Sequence, residues 1–498
     1  MNNALSRSLG GYYPKVLFFI AIVTAAPLLM LPFFPKEIDE VPAFLIPAVL
    51  AALAGVTAAR VSKGKTEKEI PRVWQSPLKN GSLPVLFAWC AAIAAGAAPF
   101  VISGRLDILH ALFEASAGWT TAGLSVADVS ALPNVFLFHR ALMQYCGGLG
   151  FIIIIAIVLQ GRQMVSMYSA EGHPEGFMPN LRRMSVTIFL IYTVCLSLGT
   201  LLYALFGMPL FEALCHAMSA ISTAGFSTRE GNIGAFDSVP IEMVTVFLML
   251  IGASNFAWLL LLAKGRFHRV AKISEVRLMF GVLAAFIPLV AFSLIAHHGK
   301  GFWDGLHNAV FCVVSMLSTT GYSIENYGAW PPMAFGLIML LTALGASTGS
   351  TAGGIKLLRV YILARVTKAN IRRRLSPSHS VRLMRYTRAQ GEAPIDDNLL
   401  RDTVEFLFVY FAVLLAGTLL ISFFEEGGVA LTDALFEFNA ALGTSGVSSG
   451  LTARASGGTL IVEMLGMLMG RLEIFIVLLG LYSVFDKVRK KLLTNKAV

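Results

Sequence analysis

Four short stretches of this chain place a threonine hydroxyl beside a glycine backbone. They are Thr121-Ala122-Gly123, Thr223-Ala224-Gly225, Thr319-Thr320-Gly321 and Thr444-Ser445-Gly446. Each closes one ungapped pattern: Ala, then Leu or Val, eight residues, then Thr-x-Gly-x-Ser. The pattern starts at Ala111, Ala213, Ala309 and Ala434. Backbone carbonyls can replace the hydration shell of a bare monovalent cation. Glycine permits the backbone angles such a turn needs. Four turns of this kind around one axis can therefore strip water from an ion. Carboxylate clusters would suit Ca²⁺ or Mg²⁺ better, and these turns carry none, which favours K⁺ or Na⁺. The ion enters as the species handled, and the turns call for no bound cofactor and no catalytic residue.

The elements that must hold these turns are apolar. The chain has 498 residues, 56% hydrophobic and 14% charged. So little charge excludes an ordinary soluble domain. Long apolar stretches recur at 16–34, 41–59, 82–103, 135–159, 184–206, 241–263, 278–296, 331–366, 406–424 and 459–485. About 18 or more such residues suffice to span a bilayer, so the sequence predicts ten crossings. The first is longer than the apolar core of a cleaved leader and reads as a membrane helix. The segments of about 12 residues before each Thr-x-Gly are too short to cross but fit re-entrant helices. Irregular backbone at membrane depth needs shelter in protein or a water-lined path. A pore helix would also aim the negative end of its dipole at the membrane centre. The five cysteines show no CxxC spacing, so core packing is expected of them.

Charge sets the orientation. Lys and Arg cluster in 60–79 (Arg60, Lys63, Lys65, Lys68, Arg72, Lys79), 264–277 and 365–388 (including Arg382), and in the tail (Lys487, Arg489, Lys490, Lys491, Lys496). The alternate loops carry acids instead: Glu37, Asp39 and Glu40; Asp128; Glu230 and Asp237; Glu325; Glu425 and Glu426. The positive-inside rule then predicts cytoplasmic termini and four external turns. The net charge of +10 belongs to these loops and to anionic membrane lipids. It requires no nucleic acid.

The spans after the turns repeat too. Gly147, Gly252, Gly345 and Gly470 lie 24, 27, 24 and 24 residues beyond the turn glycines. Small residues there allow helices to approach closely or line a cavity. The third of these spans departs most. Its 345–354 stretch is nearly all Gly, Ser, Ala and Thr, which makes a poor helix. A break is predicted there, at Gly349, Ser350, Thr351, Gly353 and Gly354. Lys356 beyond it either snorkels to the interface or belongs to a loop that obstructs the pore. Arg471 sits deep in an apolar span, where a charge is costly and functional by default. It can pair with Glu473 or Glu463, bond the third-span loop, or act as an electrostatic barrier in a cation path.

Taken together these residues resemble a known family. Gly147-Gly148-Leu149-Gly150-Phe151 and Ile251-Gly252-Ala253-Ser254-Asn255-Phe256 resemble inner-helix signatures of the Trk/Ktr/HKT superfamily of potassium transporters. The 349–356 stretch is similar to that family's intramembrane gating loop, and Gly470-Arg471-Leu472-Glu473 to its last inner helix. The likeness covers 82–486 and is closest to the bacterial Trk-type membrane subunit, whose extra hairpin matches 16–59. It implies an all-α membrane protein in the cytoplasmic (inner) membrane. Four outer helix–pore loop–inner helix repeats would surround one pseudo-fourfold pore, beside an N-terminal hairpin. The parts would be a hairpin at 1–60, repeats at 82–160, 184–264, 275–366 and 401–486, and a basic tail at 487–498. The resemblance further implies a homodimer and a cytoplasmic nucleotide-binding (NAD/ATP-type) regulatory ring. In this family a glycine at all four turns goes with K⁺ and a serine in the first with Na⁺. Here all four are Gly, although Gly443 and Val447 make the fourth turn unusual. A Na⁺-permeable relative, a membrane enzyme and a scaffold without transport are the rival readings. The enzyme would need clustered His, Asp or Glu near a membrane face, and the acids here are scattered.

Overall fold

The computed structural model describes residues 12–63, 77–150, 181–375, 384–425 and 428–495. Lys65, Lys68, Arg72, Phe151, Arg382, Glu426, Lys496 and the 151–159 half of one expected span lie outside those residues. The described chain is largely helical. In order come α1 (Tyr12–Ala25), α2 (Val41–Lys63), α3 (Pro77–Ile102), α4 (Ile108–Trp119), α5 (Asn134–Leu149), α6 (Leu181–Leu205) and α7 (Leu210–Ile221). They are followed by α8 (Val239–Gly252), α9 (Phe256–Ala263), α10 (Phe267–Val270), α11 (Ser274–His298), α12 (Phe302–Leu317), α13 (Pro332–Ala343) and α14 (Leu357–Arg374). Last come α15 (Asp397–Phe424), α16 (Leu431–Gly443), α17 (Gly457–Leu472) and α18 (Ile474–Asn495). The sequence reading anticipated no strand. Among the described residues there is one hairpin, β1 (Arg385–Arg388) antiparallel to β2 (Gly391–Pro394).

Among the described residues six helical stretches are long and apolar enough to cross a membrane: Tyr12–Met30, Pro35–Val61, Ser82–Ile102, Arg182–Leu205, Ser274–His297 and Asp397–Phe424. Their outer faces carry exposed Phe408, Phe423, Phe292 and Leu50. Bare apolar surface of this kind is what lipid covers and water does not. The expected spans 241–263 and 459–485 are not straight. They are α8 with α9, bent by 112°, and α17 with α18, bent by 107°. The local cause of the first bend is polar. Ser254 Oγ bonds back to Leu250 O, and Asn255 caps α9 by accepting from Ala257 N at 2.7 Å. At the second, Glu473 takes a left-handed φ of +59° between the two helices. The break expected in 331–366 is present, between α13 and α14. α5 likewise stops at Gly150, which has φ +79°.

The chain packs as two compact bodies. One contains the described parts of 1–120, 125–190 and 472–498, the other 121–124 and 191–471. The core of the first gathers Phe44, Phe100, Phe136 and His139, with Phe44 and Phe100 centred 4.9 and 5.2 Å from Phe136. Glu37 stitches its hairpin to α5 by accepting from the backbone N–H groups of Asn134 and Val135. The second body holds all four Thr-x-Gly segments. Among the cysteines, Cys146, Cys215 and Cys312 are buried as expected, whereas Cys90 is exposed.

Candidate functional site

Four short helices, α4, α7, α12 and α16, each end at a Thr-x-Gly. The helix ends take one form. In the last three, the N–H of the motif Thr bonds the carbonyl three residues back and the next N–H reaches five back: Thr223 to Ala220 and Ala224 to Ser219, Thr319 to Met316 and Thr320 to Ser315, Thr444 to Ala441 and Ser445 to Ala440. This is the Schellman closure, which normally places glycine at its left-handed position. Here that position is threonine. Thr121, Thr223, Thr319 and Thr444 have φ of +57°, +51°, +56° and +51°. A β-branched residue there is strained, and strain of this kind collects at functional sites. Gly123, Gly225, Gly321 and Gly446 follow at +73°, +87°, +76° and +67°. In each turn two residues of positive φ flank one, Ala122, Ala224, Thr320 or Ser445, that is not left-handed.

The four turns touch in a closed cycle within the second body. A Cβ on Gly123 would lie 2.0 Å from Ala224 O, and one on Gly225 would lie 2.1 Å from Thr320 O. On Gly321 it would meet Ser445 O at 1.8 Å, and on Gly446 it would meet Ala122 O at 2.1 Å. Each turn glycine thus abuts the middle carbonyl of the next turn, and the fourth returns to the first. No side chain fits at these positions, because the obstacle is backbone. All four threonines are buried.

The serine that ends the first, second and fourth motifs has a structural role the spacing did not reveal. Nine residues before each turn glycine stand Glu114, His216, Cys312 and Glu437. Ser125 Oγ donates to Glu114 at 3.0 Å, His216 Nε2 lies 3.0 Å from Ser227 Oγ, and Ser448 Oγ donates to Glu437 at 2.6 Å. The short helix therefore grips the strand leaving its own turn. In the first repeat Arg140 joins, with Nε 2.7 Å from Glu114 Oε1. The signal was a polar residue recurring at one station of an apolar segment.

The helices that follow the turns carry closely packed glycines of their own. A Cβ on Gly147 would sit 2.0 Å from Trp119 O, on Gly252 2.5 Å from Ile221 O, and on Gly470 2.0 Å from Leu442 O. Each presses on the last carbonyls of its own short helix, so close approach explains these three. Gly345 differs: its Cβ would meet Gly353 O at 1.8 Å, inside the α13–α14 loop.

That loop lies directly against three turns. Thr351 Oγ1 is 3.0 Å from Thr223 Oγ1 and donates to Gly252 O at 2.9 Å. Gly353 N donates to Thr319 Oγ1 at 3.0 Å, and a Cβ on Gly353 would meet Thr444 Oγ1 at 2.0 Å. A parallel bridge between Leu344 and Ile355 closes the loop's neck, and Ala346 and Ala352 pack on Ala253. Outside help comes from three residues. Asn255 Nδ2 donates to Thr348 O, Thr348 N donates to Glu275 Oε1 at 2.7 Å, and Arg471 donates to Thr351 O. Of the options for Arg471, the loop contact is thus present, while Glu463 bonds Thr452. Lys356 folds back to donate to Ala352 O and caps α14. Asn255 and Glu275 were not singled out from sequence, although Asn255 stood inside a quoted signature. Thr121 Oγ1 and Thr444 Oγ1 are buried with no hydrogen-bond partner among the described residues.

Comparison with known proteins agrees with this architecture. The sequence model of the TrkH family, described as cation transport protein, matches residues 52–300 and 303–485. The Trk system potassium uptake protein TrkG of Escherichia coli (strain K12) is 30% identical over 430 residues, covering 82% of this chain and 85% of its own length. The Trk system potassium uptake protein TrkH of Salmonella typhimurium is 29% identical over 420 residues, 80% of this chain and 84% of that one. The crystal structure of the potassium transporter TrkH from Vibrio parahaemolyticus superposes with a TM-score of 0.81 at 24% identity, over 96% of this chain and 98% of that one. With a family match over most of its length, the chain belongs to the TrkH family of cation transport proteins.

Proposed function

We propose that this protein takes up K⁺ through a central pore whose selectivity filter is the cycle of four Thr-x-Gly turns. The observation that carries the reading is the closed contact of each turn glycine with the next turn's carbonyl. Four backbones with one alternating left-handed geometry can present carbonyls to a dehydrated monovalent cation. The hydroxyls of Thr121 and Thr444, buried with no hydrogen-bond partner among the described residues, suit ligation of an ion at the base of the filter. The ligating set is then Thr121, Ala122, Gly123, Thr223, Ala224, Gly225, Thr319, Thr320, Gly321, Thr444, Ser445 and Gly446. Similarity to proteins named for potassium uptake supports K⁺ over Na⁺.

The gate in this reading is the α13–α14 loop: Gly349, Ser350, Thr351, Gly353, Gly354 and Lys356, held by Arg471. Its bonds to Thr223 and Thr319 put backbone where an ion leaving the filter must pass. Opening means breaking a handful of hydrogen bonds, each worth about 0.5–1.5 kcal/mol net. That is a scale a regulatory partner can supply. The protein sits in the cytoplasmic (inner) membrane with both termini inside, as the basic loops support. It acts as a homodimer with a cytoplasmic nucleotide-binding ring, consistent with relatives named as parts of a Trk system.

The test is ion flux into liposomes containing the purified protein, with K⁺ or Na⁺ outside and with or without a pH or Na⁺ gradient. K⁺ influx well above Na⁺ influx is expected. Equal permeation of the two ions sinks the selectivity claim. A flux that needs the pH gradient makes the protein an H⁺-coupled symporter, one that needs a Na⁺ gradient makes it Na⁺-coupled, and one indifferent to both makes a channel.

A further inference from the structure

The fourth turn is braced by two buried carboxylates, Glu437 on α16 and Glu463 on α17. Glu437 accepts from Ser448 Oγ at 2.6 Å, Ser449 N at 2.8 Å, Ser449 Oγ at 3.0 Å, Leu451 N at 3.1 Å and Thr452 Oγ1 at 3.0 Å. Five donors, two of them backbone amides, favour the charged form of Glu437. Glu463 meets the other side of Thr452, with Oε2 and Oε1 at 3.3 and 3.5 Å from Oγ1. A hydroxyl has a single proton, and the nearer Glu437 takes it. Among the described residues Glu463 lacks the other donors, and 3.3 and 3.5 Å are long for a hydroxyl–carboxyl hydrogen bond, so of these two adjacent buried carboxyls it is the one that retains a proton.

The first repeat shows the alternative. Arg140 and Glu463 occupy the same station, 17 residues past Gly123 and Gly446. Arg140 neutralises Glu114 with its guanidinium and also donates to Ser125 Oγ at 2.9 Å. In the fourth repeat the same station carries an acid. The charged and titratable groups facing Glu463 are Glu437 from α16 and, further off, Glu425 from the end of α15. The nearby Arg454 lies beside Glu425, and Arg471 on Glu463's own helix is bonded to Thr351 O. Among the described residues neither Glu437 nor Glu463 has an ion-pair partner. A second negative charge here would be buried without compensation.

We infer that Glu463 is a proton-binding site behind the fourth turn, and that loss of its proton distorts that turn and slows ion passage. The step is simple: the O–H bond of Glu463 breaks, its proton goes to water, and the carboxylate that remains repels Glu437 across Thr452. The effect on flux rests on the potassium-uptake reading above; the bound proton does not.

Two measurements on the full-length protein test it. Infrared difference spectra across a pH titration should show the C=O stretch of a protonated acid at neutral pH, fading at high pH and missing from Glu463→Gln. K⁺ influx should fall at alkaline pH by about tenfold per pH unit beyond the midpoint, as a single essential proton requires. In Glu463→Gln, which mimics the neutral acid, that limb should vanish. If the carboxylic band is the same in both proteins, or if Glu463→Gln keeps the parental alkaline limb, the inference is overturned. Should Glu463→Gln fail to assemble, Glu463→Asp keeps an acid in a changed setting and must move the midpoint of the band; an unmoved midpoint also overturns it. A titrating band with no K⁺ influx at any pH would instead uphold the proton site and refute the uptake reading.

Discussion

The four turns form one layer of contacts and the glycines of the helices that follow them a second, yet only the turns repeat one contact throughout. In the first layer every motif threonine is left-handed within 6° of the others, and every glycine meets the next turn's carbonyl. In the second layer three glycines press on their own short helices, while Gly345 faces its own loop. The proposed passage of an ion through these turns supplies a physical basis for the difference. A dehydrated ion needs ligands on all sides at once, so no turn can change alone. Closing a path needs only one obstruction, so a single helix can unwind while its three counterparts keep their packing.

The largest expected effect falls on the first layer. Gly321→Ala would put a methyl 1.8 Å from Ser445 O in a residue at φ +76°. We expect a cost of at least about 4 kcal/mol, with K⁺ influx lost, and the same for Ala at Gly123, Gly225 and Gly446. One tolerated substitution would break the claim of a closed cycle. The next prediction separates the layers. Gly470→Ala should lower thermal stability by about 3 kcal/mol or more, because its methyl would sit 2.0 Å from Leu442 O. Gly345→Ala strikes the loop instead and should raise basal influx. If both variants only lose stability, the third helix is not special.

A smaller effect isolates the loop's anchors. Thr351→Val keeps shape but removes the bonds to Gly252 and Thr223. Arg471→Gln weakens the hold on Thr351 O. Each should favour the open state by about 1–2 kcal/mol, a rise of roughly tenfold in basal influx where the closed state dominates. Unchanged influx in both would remove the loop as the obstruction. Glu425 supplies a control outside both layers. Burial pushes its carboxyl up, but bonds from Thr459 and Ser456 and the charge of Arg454 outweigh that and hold it below the usual carboxylate range. A lowered value means stability present above the ordinary carboxylate pKa and lost as pH falls through the depressed one. Because Glu425 is only half-buried and water screens its charge, Glu425→Gln should cost less than about 1 kcal/mol at neutral pH and leave ion selectivity unchanged. Thermal unfolding at neutral and acidic pH checks the first part.

Much of this molecule was legible in its residues. Apolar run length and charge alternation marked the long helices, because a bilayer enforces both. The Thr-x-Gly motifs announced themselves by strict spacing, and the 345–354 composition announced a break. The bends at Asn255 and Glu473 were not legible: each lies within an apolar run whose hydropathy hides a local capping event. The same holds for the grip of Glu114, His216 and Glu437 on the motif serines, since residues eleven apart in sequence meet only when the chain turns back.

By itself the sequence determined that the protein is a helical membrane protein with four equivalent turns and one aberrant inner helix. Those properties are local, written in hydropathy, glycine placement and repeat register. Only the tertiary structure decided that each turn glycine abuts its neighbour's carbonyl, that the aberrant loop lies against Thr223, Thr319 and Thr444, and that Arg471 bonds this loop. Contacts between segments a hundred residues apart depend on how helices pack, and helix packing is settled by the sum of many small contacts that no single motif records.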